Sequence, residues 1–252
     1  MASFDRAMWQ RCYRQSELPK FRCPRCERGR MMADLSTLRV KQPEYSVIEC
    51  QHQDYEQDWA KKRFSVQLKC DETSCGEISF AIGDTFAQQY YDDEYDTEAW
   101  ETLLRLRGFF PAPPIIDVPA QVPREVKVEL DKAFELYWLD LNATANRLRV
   151  SVELIMDEQG VPHEALSKKG VMSRLDLNGR IAVFGKTHTD HAETLTALRM
   201  IGNLGSHKGD VQADAILDAF EVYEDSLAEL YGERSVRIKE KKAKLIRTKG
   251  IY

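Results

Sequence analysis

The sequence predicts a mainly α fold, in which a helical bundle follows a smaller, β-rich N-terminal region. Apolar residues recur at helical spacing from Arg124 almost to the end of the 252-residue chain, as at Leu130, Phe134, Tyr137 and Leu141. Closer to the N-terminus, apolar and polar residues alternate on both sides of a cysteine turn, with Phe64, Val66 and Leu68 before it and Ile78, Phe80 and Ile82 after it. This period of two is typical of two strands joined by a turn.

The composition is that of an ordinary intracellular protein. The formal net charge is −5 at pH 7 and 43% of the residues are hydrophobic. The sequence has no stretch of about 18 apolar residues, and its first residues, MASFDRAMWQRCYRQ, lack an apolar signal core. We therefore expect a cytoplasmic protein without a membrane segment. Thiols stay reduced in that compartment, so the six cysteines suggest metal binding before disulfides.

Two cysteine pairs predict a zinc ribbon. Cys23 and Cys26 lie in FRCPRCERG, and Cys70 and Cys75 follow after a long insert. Each turn aims two thiolates at one point, and four thiolates complete a closed tetrahedral shell around a structural Zn²⁺, with no open position for catalysis. The alternative is four plain reduced thiols, because the second pair is spaced more widely than is common. The two remaining cysteines have no close partner and are interpreted as small apolar residues, namely Cys12 and Cys50.

The predicted domain organisation has four parts. A zinc-ribbon region covers residues 1–108, a proline-rich strap covers 109–123, a helical bundle covers 124–232, and a basic tail covers 233–252. Five prolines lie between Pro111 and Pro123, and proline at this density disfavours helix. The apolar residues of the strap favour a position on a domain surface, and the alternative is a proline-rich ligand for another protein.

Charge is distributed unevenly along the chain. The tail carries eight basic residues against Glu233 and Glu240, about +6, so the rest of the chain carries about −11. Six acidic residues crowd the segment from Asp92 to Glu101. Because an acidic body repels polyanions, any contact with nucleic acid is expected to be local. For the tail, a solvated charge run, a helix extension and a nucleic-acid contact all remain open.

Within the bundle, Gly160 and Pro162 are predicted to stop a helix that contains Leu148, Val152 and Ile155. A weaker helix is expected over 172–184. Asp210 is predicted to cap a last long helix that ends before Gly232, since apolar residues recur at helical spacing between them.

The stretch DHAETLTALRMIGNLGSHKGD, from Asp190 to Asp210, carries the candidate catalytic residues. Asp190 and Glu193 have the spacing of a capping box, which predicts a helix start. Arg199, Asn203 and His207 follow at four-residue steps and would share one helical face, where they could hold a phosphate and move a proton. The opposite face would be buried through Ala197, Ile201 and Leu204. In the alternative, Gly202 and Gly205 end the helix and leave His207 in a loop.

Other catalytic signatures are absent from the sequence: it has no phosphate loop, no G-x-S-x-G, no H-E-x-x-H and no dinucleotide fingerprint. Four arginines surround the first cysteine pair and suggest a DNA contact, although they could equally pair with the acidic segment: Arg22, Arg25, Arg28 and Arg30.

The order of CPRC, a second cysteine pair, FFPAPPIIDVP, a helical bundle and LRMIGNLGSH resembles the bacterial DUF4145 family over roughly residues 20 to 232. That family is often encoded beside restriction and other anti-phage genes and is similar to the HEPN superfamily of helical bundles. The resemblance therefore implies a HEPN-like bundle in a bacterial defence or nucleic-acid-processing system.

Many HEPN proteins are dimeric, metal-independent endoribonucleases with an arginine and a histidine four to six residues apart. Asn203 and His207 match the asparagine and histidine of that pattern, whereas Gly202 occupies the arginine position and Arg199 lies one turn earlier. The resemblance implies attack of an RNA 2′-hydroxyl on the adjacent phosphate, with proton transfer by His207 and charge stabilisation by Arg199.

The implied partners are RNA and a second copy of the chain. In a rival hypothesis, the chain is a non-catalytic subunit that dimerises or docks on a defence ATPase or nuclease. A third is a DNA-binding accessory that uses the arginines of the first cysteine pair.

Overall fold

A computed structural model describes residues 4–166, 170–206 and 210–248 of the chain. The chain forms two compact units that divide between Pro114 and Ile115. This division falls within the proline-rich strap expected at 109–123, whose Phe109, Ile115 and Ile116 are buried. In the described part of the chain, no helix combines the length and apolarity needed to cross a membrane.

The first unit is built on a curled six-stranded antiparallel sheet. Its strands lie in the spatial order β1–β6–β5–β4–β3–β2, with β1 at Cys12–Tyr13, β2 at Phe21–Arg22, β3 at Arg30–Lys41, β4 at Arg63–Cys70, β5 at Ile78–Asp92 and β6 at Thr97–Phe110. A short helix, α1 (Glu44–Glu49), and a 3₁₀ turn at Gln57–Trp59 lie between β3 and β4. The insert between the cysteine pairs is therefore part of the sheet.

An aromatic cluster fills the core of this unit. Phe21 is fully buried and its ring lies 5.4 Å from the rings of both Trp9 and Phe109. Tyr13 meets Phe21 edge-on at 6.3 Å. The cluster joins residues near the N-terminus to β6, which fixes the two ends of the unit together.

The second unit contains six helices and a small hairpin within its described residues. The helices are α2 (Arg124–Leu136), α3 (Leu141–Glu158), α4 (Leu177–Phe184), α5 (Thr189–Ser206), α6 (Ala213–Tyr231) and α7 (Glu233–Thr248), and the hairpin pairs β7 (Glu164–Leu166) with β8 (Met172–Arg174). Tyr137, Trp138, Phe220 and Tyr223 are completely buried. They form the aromatic part of the helical core.

The predicted fold class, a HEPN-like bundle preceded by a small zinc ribbon, is wrong. The structure is 44% helical and 25% strand, and the N-terminal half is an extended sheet rather than a small ribbon. The prediction failed mainly at β5 and β6, where residues 88–101 are polar, acidic and aromatic, and none of them is buried. Without a buried face, a strand shows no alternation of apolar and polar residues.

The strands flanking the second cysteine pair both have the predicted period of two, but the large apolar residues are buried in one strand and exposed in the other. In β4, Phe64, Val66 and Leu68 are buried, as the alternation predicts. In β5 the small residues Ser79 and Ala81 are buried, whereas the apolar residues of the alternation are exposed: Ile78, Phe80 and Ile82. Alternation thus identified both strands and misassigned the buried face of one.

Several helix boundaries also differ from those predicted. The helix expected over 172–184 is divided into β8 and α4, and Asp176 caps α4 by accepting from the Gly179 amide at 2.8 Å. The last long helix begins at Ala213 with Gln212 as its cap, so Asp210 is not the cap. Asp190 lies inside α5, which begins one residue earlier. Most of the basic tail continues as α7, in agreement with the helix-extension alternative.

Candidate metal centre

The sheet topology places two cysteine turns at the same end of the first unit. The turn between β2 and β3 contains Cys23 and Cys26, and the turn between β4 and β5 follows Cys70. Since β3 and β4 are antiparallel neighbours with Met31 opposite Cys70, the start of β3 lies beside the end of β4. The register therefore brings the two turns together although they are far apart in sequence.

The first turn is closed by backbone hydrogen bonds. The Cys23 amide donates to the Gly29 carbonyl at 2.9 Å, and the Glu27 amide donates to the Cys23 carbonyl at 3.0 Å. Glu27 has a left-handed backbone, with φ 56°, which turns the chain sharply after Cys26. The Arg22 side chain donates to the Glu27 carbonyl at 2.8 Å and holds the turn from outside.

The second turn has a similar closure. The Cys70 amide donates to the Glu77 carbonyl at 2.8 Å, and the Cys75 amide donates to the Glu72 carbonyl at 2.9 Å. Gly76, with φ +61°, supplies the left-handed residue after Cys75, the position that Glu27 occupies in the first turn. The wider spacing of the second pair is thus compatible with the same kind of closure.

A reciprocal clamp joins the two turns. The Arg30 amide donates to the Asp71 carboxylate at 2.7 Å, and the Asp71 amide donates to the Arg30 carbonyl at 3.0 Å. The clamp fixes the end of β4 to the start of β3, directly beside the thiols. Sequence reasoning missed Asp71, because a single acidic residue after a cysteine forms no recognisable pattern.

The four thiols form a compact group. The Sγ atoms of Cys23 and Cys75 are 3.8 Å apart, those of Cys26 and Cys70 are 3.7 Å apart, and all four lie within 4.8 Å of one another. These separations exceed the about 2.05 Å of a disulfide. Four sulfurs about 2.3 Å from a central ion would lie about 3.8 Å apart at the corners of a tetrahedron. The group could therefore hold a metal ion.

Gly29 is required by the close approach of the second turn. A Cβ atom at this position would lie 2.4 Å from the Cys70 sulfur and 2.9 Å from an oxygen of Asp71. The Gly29 amide also donates to the Cys26 sulfur at 3.3 Å. The residue thus opens the space that the thiols share and supplies a hydrogen bond to one of them.

The surroundings set different proton affinities for the thiols. The hydrogen bond from the Gly29 amide lowers the pKa of Cys26 to about 7. Burial raises the pKa of Cys23, and it raises the pKa of Cys70 to about 12. A bound cation would reverse this effect of burial, because it stabilises thiolates directly. The chemistry of the four sulfurs therefore suits a bound cation, which would compensate their charge as thiolates.

Exposed cations surround the first turn. The side chains of Arg25, Arg28 and Arg30 are exposed, whereas Arg22 is half-buried and bonded to the turn itself. Arg28 interacts electrostatically with Glu72 of the second turn. Arg25 and Arg28 lie in the first turn, and Arg22 and Arg30 lie at the ends of the strands that flank it. The first turn and the start of β3 therefore carry three exposed guanidinium groups close to the cysteines in sequence.

The two remaining cysteines lie outside this group. Cys12 belongs to β1, and burial raises the pKa of its thiol. The Cys50 sulfur follows α1 and accepts from the Gln42 side chain at 3.3 Å. Within the described ranges, the group formed by Cys23, Cys26, Cys70 and Cys75 is the set of potential metal ligands that the structure brings together.

The candidate catalytic stripe is only partly described. Arg199 and Asn203 are half-buried on α5, and His207 lies outside the described residues. The Nε atom of Arg199 is buried without a hydrogen-bond partner among the described residues. Helix α5 continues through both Gly202 and Gly205 to Ser206, so neither glycine ends it.

The prediction of which face of α5 is buried is wrong. Leu195, Leu198 and Gly202 are buried, whereas Ala197 is exposed, and Leu204 is 50% exposed. A Cβ at Gly202 would lie 2.4 Å from the Arg149 Cβ of α3. The absence of a side chain at Gly202 therefore lets α5 and α3 approach each other closely at this position. The Arg199–Asn203 stripe therefore borders the contact with α3 rather than lying opposite the core.

The comparisons with known proteins divide the chain in a similar way. Residues 11–109 match the family described as domain of unknown function (DUF8608), and residues 131–249 match the family described as domain of unknown function (DUF4145). Comparisons with curated proteins and with solved structures find no significant match. The chain thus combines a region similar to DUF8608, which carries the cysteine centre, with a region similar to DUF4145, which carries α5.

Proposed function

We propose that this chain is a zinc-stabilised, nucleic-acid-binding component of a bacterial defence or nucleic-acid-processing system. The observation that carries the proposal is the compact group of four thiols with exposed arginines on its first turn. Four thiolates with no open position suit a structural Zn²⁺, which would hold the two turns and do no chemistry. The defence setting is what the resemblance to DUF4145 implies, since that family is often encoded beside anti-phage genes.

The chemistry of the surface favours phosphate contacts. Arg25 and Arg28 lie in a turn whose backbone is closed by hydrogen bonds, and Arg30 begins β3, so the backbone positions from which the three exposed side chains extend are fixed. Guanidinium groups match the geometry of phosphate oxygens. Because the whole chain is acidic, binding would depend on this local group and would weaken steeply with salt.

The salt dependence of DNA binding tests this role. We expect the zinc-loaded chain to bind duplex DNA, and a triple variant, Arg25→Ala, Arg28→Ala and Arg30→Ala, to bind more weakly with a shallower salt slope. Removing one arginine–phosphate pair reduces the slope of log K against log salt by about 0.9, so removing three reduces it by about 2.7. Fluorescence anisotropy over a salt series measures the slope.

A matched control removes three exposed cations: Arg39→Ala and Lys41→Ala at the opposite end of β3, and Lys61→Ala just before β4. The control has the same net charge as the test variant. Because it leaves the three arginines at the cysteine turn intact, it should retain the wild-type salt slope. Equal slopes for the two triple variants would show that binding follows net charge and not this turn. Zinc content, measured by elemental analysis, should be one ion per chain in all three proteins.

Metal-independent endoribonuclease activity is a second candidate function. It is favoured by the guanidinium of Arg199, whose Nε is held in a buried position without a partner among the described residues. Such a group would be available to a phosphate, with Asn203 and His207 of the same stretch as its companions. A single helix presents only one half of such a site, so this activity would require a homodimer.

Two variants distinguish a catalytic stripe from a structural one. If the stripe is catalytic, His207→Ala should abolish RNA cleavage in EDTA and change stability by no more than about 0.5 kcal/mol. If it is structural, Asn203→Ala should cost about 1–3 kcal/mol of unfolding free energy, because a packed amide leaves polar partners unpaired. A wild-type dimer that leaves single-stranded RNA and tRNA intact would exclude the nuclease function.

A further inference from the structure

The hairpin formed by β5 and β6 extends beyond the strands on either side of it. Strand β4 pairs with β5 only as far as Asp84, and β1 pairs with β6 at Leu104 and Arg105. Residues 88–101 therefore pair across the hairpin with each other, from Gln88 opposite Glu101 to the turn after Asp92. We call residues 88–101 the acidic arm.

The acidic arm combines negative charge with exposed aromatic rings. It contains six carboxylates and no lysine or arginine, which gives it a charge of about −6. None of its residues is buried, and Tyr95 is 71% exposed, Tyr91 57% and Trp100 39%. Charged residues keep a β-arm soluble, but they do not require aromatic rings beside them. Aromatic rings on an exposed surface are typical of protein interfaces.

The arm is held by its strand ladder and by internal hydrogen bonds such as that from Tyr91 to Asp96, but it has no buried core of its own. A two-stranded hairpin alone is marginally stable in water. The described contacts that fix it to the rest of its unit include the pair between Arg14 and Glu101 at 2.6 Å, near its base. The acidic arm would therefore be stabilised by a second surface that covers it. Because the arm carries about −6, a partner of matching charge is cationic.

The chain itself carries a surface of that chemistry. Helix α7 has seven basic residues and two acidic ones, a charge of about +5, and its side chains from Glu240 to Arg247 are exposed. Ile238 and Leu245 are seven residues apart, so they share one face of α7, and both are about 40% exposed. The helix thus offers cations for the carboxylates and apolar atoms for the rings.

We propose that the acidic arm of one copy of this chain docks on α7 of a second copy. In a two-fold dimer each copy contributes one arm and one helix, so the contact occurs twice and closes the assembly. Lysine and arginine side chains of α7 pair with the carboxylates and lie over the tyrosine and tryptophan rings. The nearly equal and opposite charges of the two surfaces leave the contact close to neutral.

The salt dependence of self-association is the first test. Sedimentation velocity should show a dimer at about 0.1 M salt, where the Debye length is about 10 Å, and dissociation towards monomer at about 1 M, where it is about 3 Å. A wild-type protein that is monomeric at both salt concentrations overturns the proposal. A contact between the arm and α7 of the same molecule would also give a monomer, so this outcome excludes the dimer in either case.

Charge reversal with complementation is the decisive test. The arm variant carries Asp93→Lys, Glu94→Lys and Glu98→Lys, and the helix variant carries Lys241→Glu, Lys242→Glu and Arg247→Glu. Each alone should associate at least about tenfold more weakly than wild type, because the charge of the arm changes from about −6 to about 0, or that of α7 from about +5 to about −1. An equimolar mixture should recover the dimer, since one of its two contacts is then the wild-type pair and in the other the three introduced lysines face the three introduced glutamates.

A control variant separates the arm from net charge. Glu44→Lys, Glu49→Lys and Glu56→Lys make the same change in net charge on exposed positions of the same unit, and dimerisation should be unaffected. A mixture of arm and helix variants that stays monomeric would overturn the proposal. A helix variant that remains dimeric but loses DNA or RNA binding would assign α7 to nucleic acid and would also overturn it.

Discussion

In both the cysteine centre and helix α5, the candidate functional side chains lie near a glycine whose missing side chain lets another part of the chain approach closely. A Cβ at Gly29 would lie 2.4 Å from the Cys70 sulfur, and a Cβ at Gly202 would lie 2.4 Å from the Arg149 Cβ. In the centre the glycine opens space for four converging sulfur atoms. In α5 it opens space for another helix, and the polar residues remain at the border of that contact.

The difference shows what makes polar side chains converge. Two hydrogen-bonded turns direct their side chains inward, so four thiols lie within 4.8 Å of one another. A helix separates residues four positions apart by a rise of about 6 Å, so Arg199 and Asn203 form a line. A line becomes a site only when a second element or a second copy faces it, whereas the turns form one within a single unit.

The largest expected effect is removal of the metal. Cys70→Ser should abolish metal binding, and the first unit should then exchange its amide hydrogens much faster, since a structural zinc can contribute about 10–16 kcal/mol. The helices of the second unit should keep their protection. Hydrogen exchange with mass spectrometry measures both units in one experiment. The control is Cys50→Ser, which should retain metal and protection. Full metal content in Cys70→Ser would contradict the assignment.

The second effect sharpens the role of Gly29. Gly29→Ala places a Cβ against the Cys70 sulfur and should weaken metal affinity by about 10- to 100-fold, the range observed for changes next to metal ligands. Competition with a chromophoric chelator measures the affinity. Arg25→Ala, in the same turn but with an exposed side chain, should leave the affinity unchanged. Equal affinities for wild type and Gly29→Ala would show that the turns can separate without cost.

The third effect concerns Gly202. Gly202→Ala forces α5 away from α3 and should lower the unfolding free energy by about 1–3 kcal/mol, as overpacking does elsewhere. Thermal or urea unfolding followed by circular dichroism measures the change. Leu204→Ala, on the exposed side of α5, should stay within about 0.5 kcal/mol of wild type. An equally small change for Gly202→Ala would mean that the helices can shift apart freely.

The smallest effect is pH-dependent and involves Glu129 of α2. Burial by itself would raise the pKa of Glu129, but hydrogen bonds from Lys132 at 2.7 Å and Arg147 at 3.0 Å outweigh it and lower the pKa. Such a carboxylate stabilises the fold above its unfolded pKa of about 4.3, and this stabilisation is lost as the pH falls through the folded value.

Glu129→Gln should therefore cost about 1 kcal/mol at neutral pH and should flatten the decline of stability below about pH 4.5. Urea unfolding at a series of pH values measures both quantities. Asp131→Asn is the control, because its pair with Lys127 is exposed and contributes little. A wild-type acid profile in Glu129→Gln would show that other carboxylates govern acid unfolding of the second unit.

The sequence was informative where a local pattern had a local cause. The spacing within each cysteine pair predicted a tight turn, and the register of β3 and β4 then brings the two turns together. The period of Phe64, Val66 and Leu68 predicted a buried strand face, and Gly160 does follow the end of α3 with φ +66°. In these cases a few neighbouring residues determine the structure.

The sequence was uninformative where the structure depends on contacts between residues that are far apart along the chain. On the buried face of α5, Gly202 lies against Arg149 and Ala145 of α3, and no spacing within α5 reveals this contact. The size of the sheet depends on β3 and on the outer parts of β5 and β6, where few or no residues are buried and the usual alternation is therefore missing. The clamp between Arg30 and Asp71 likewise depends on the register of two strands.

The pairing of β1 with β6 has a consequence for the synthesis of the chain. Cys12 and Tyr13 pair with Arg105 and Leu104, so the first strand of the sheet must wait for about 90 further residues before its neighbour exists. At about 5–20 residues per second, a ribosome needs about 5–20 s to supply them. All four cysteines emerge well before that moment. We therefore expect the nascent chain to capture its ion first and to close its sheet afterwards.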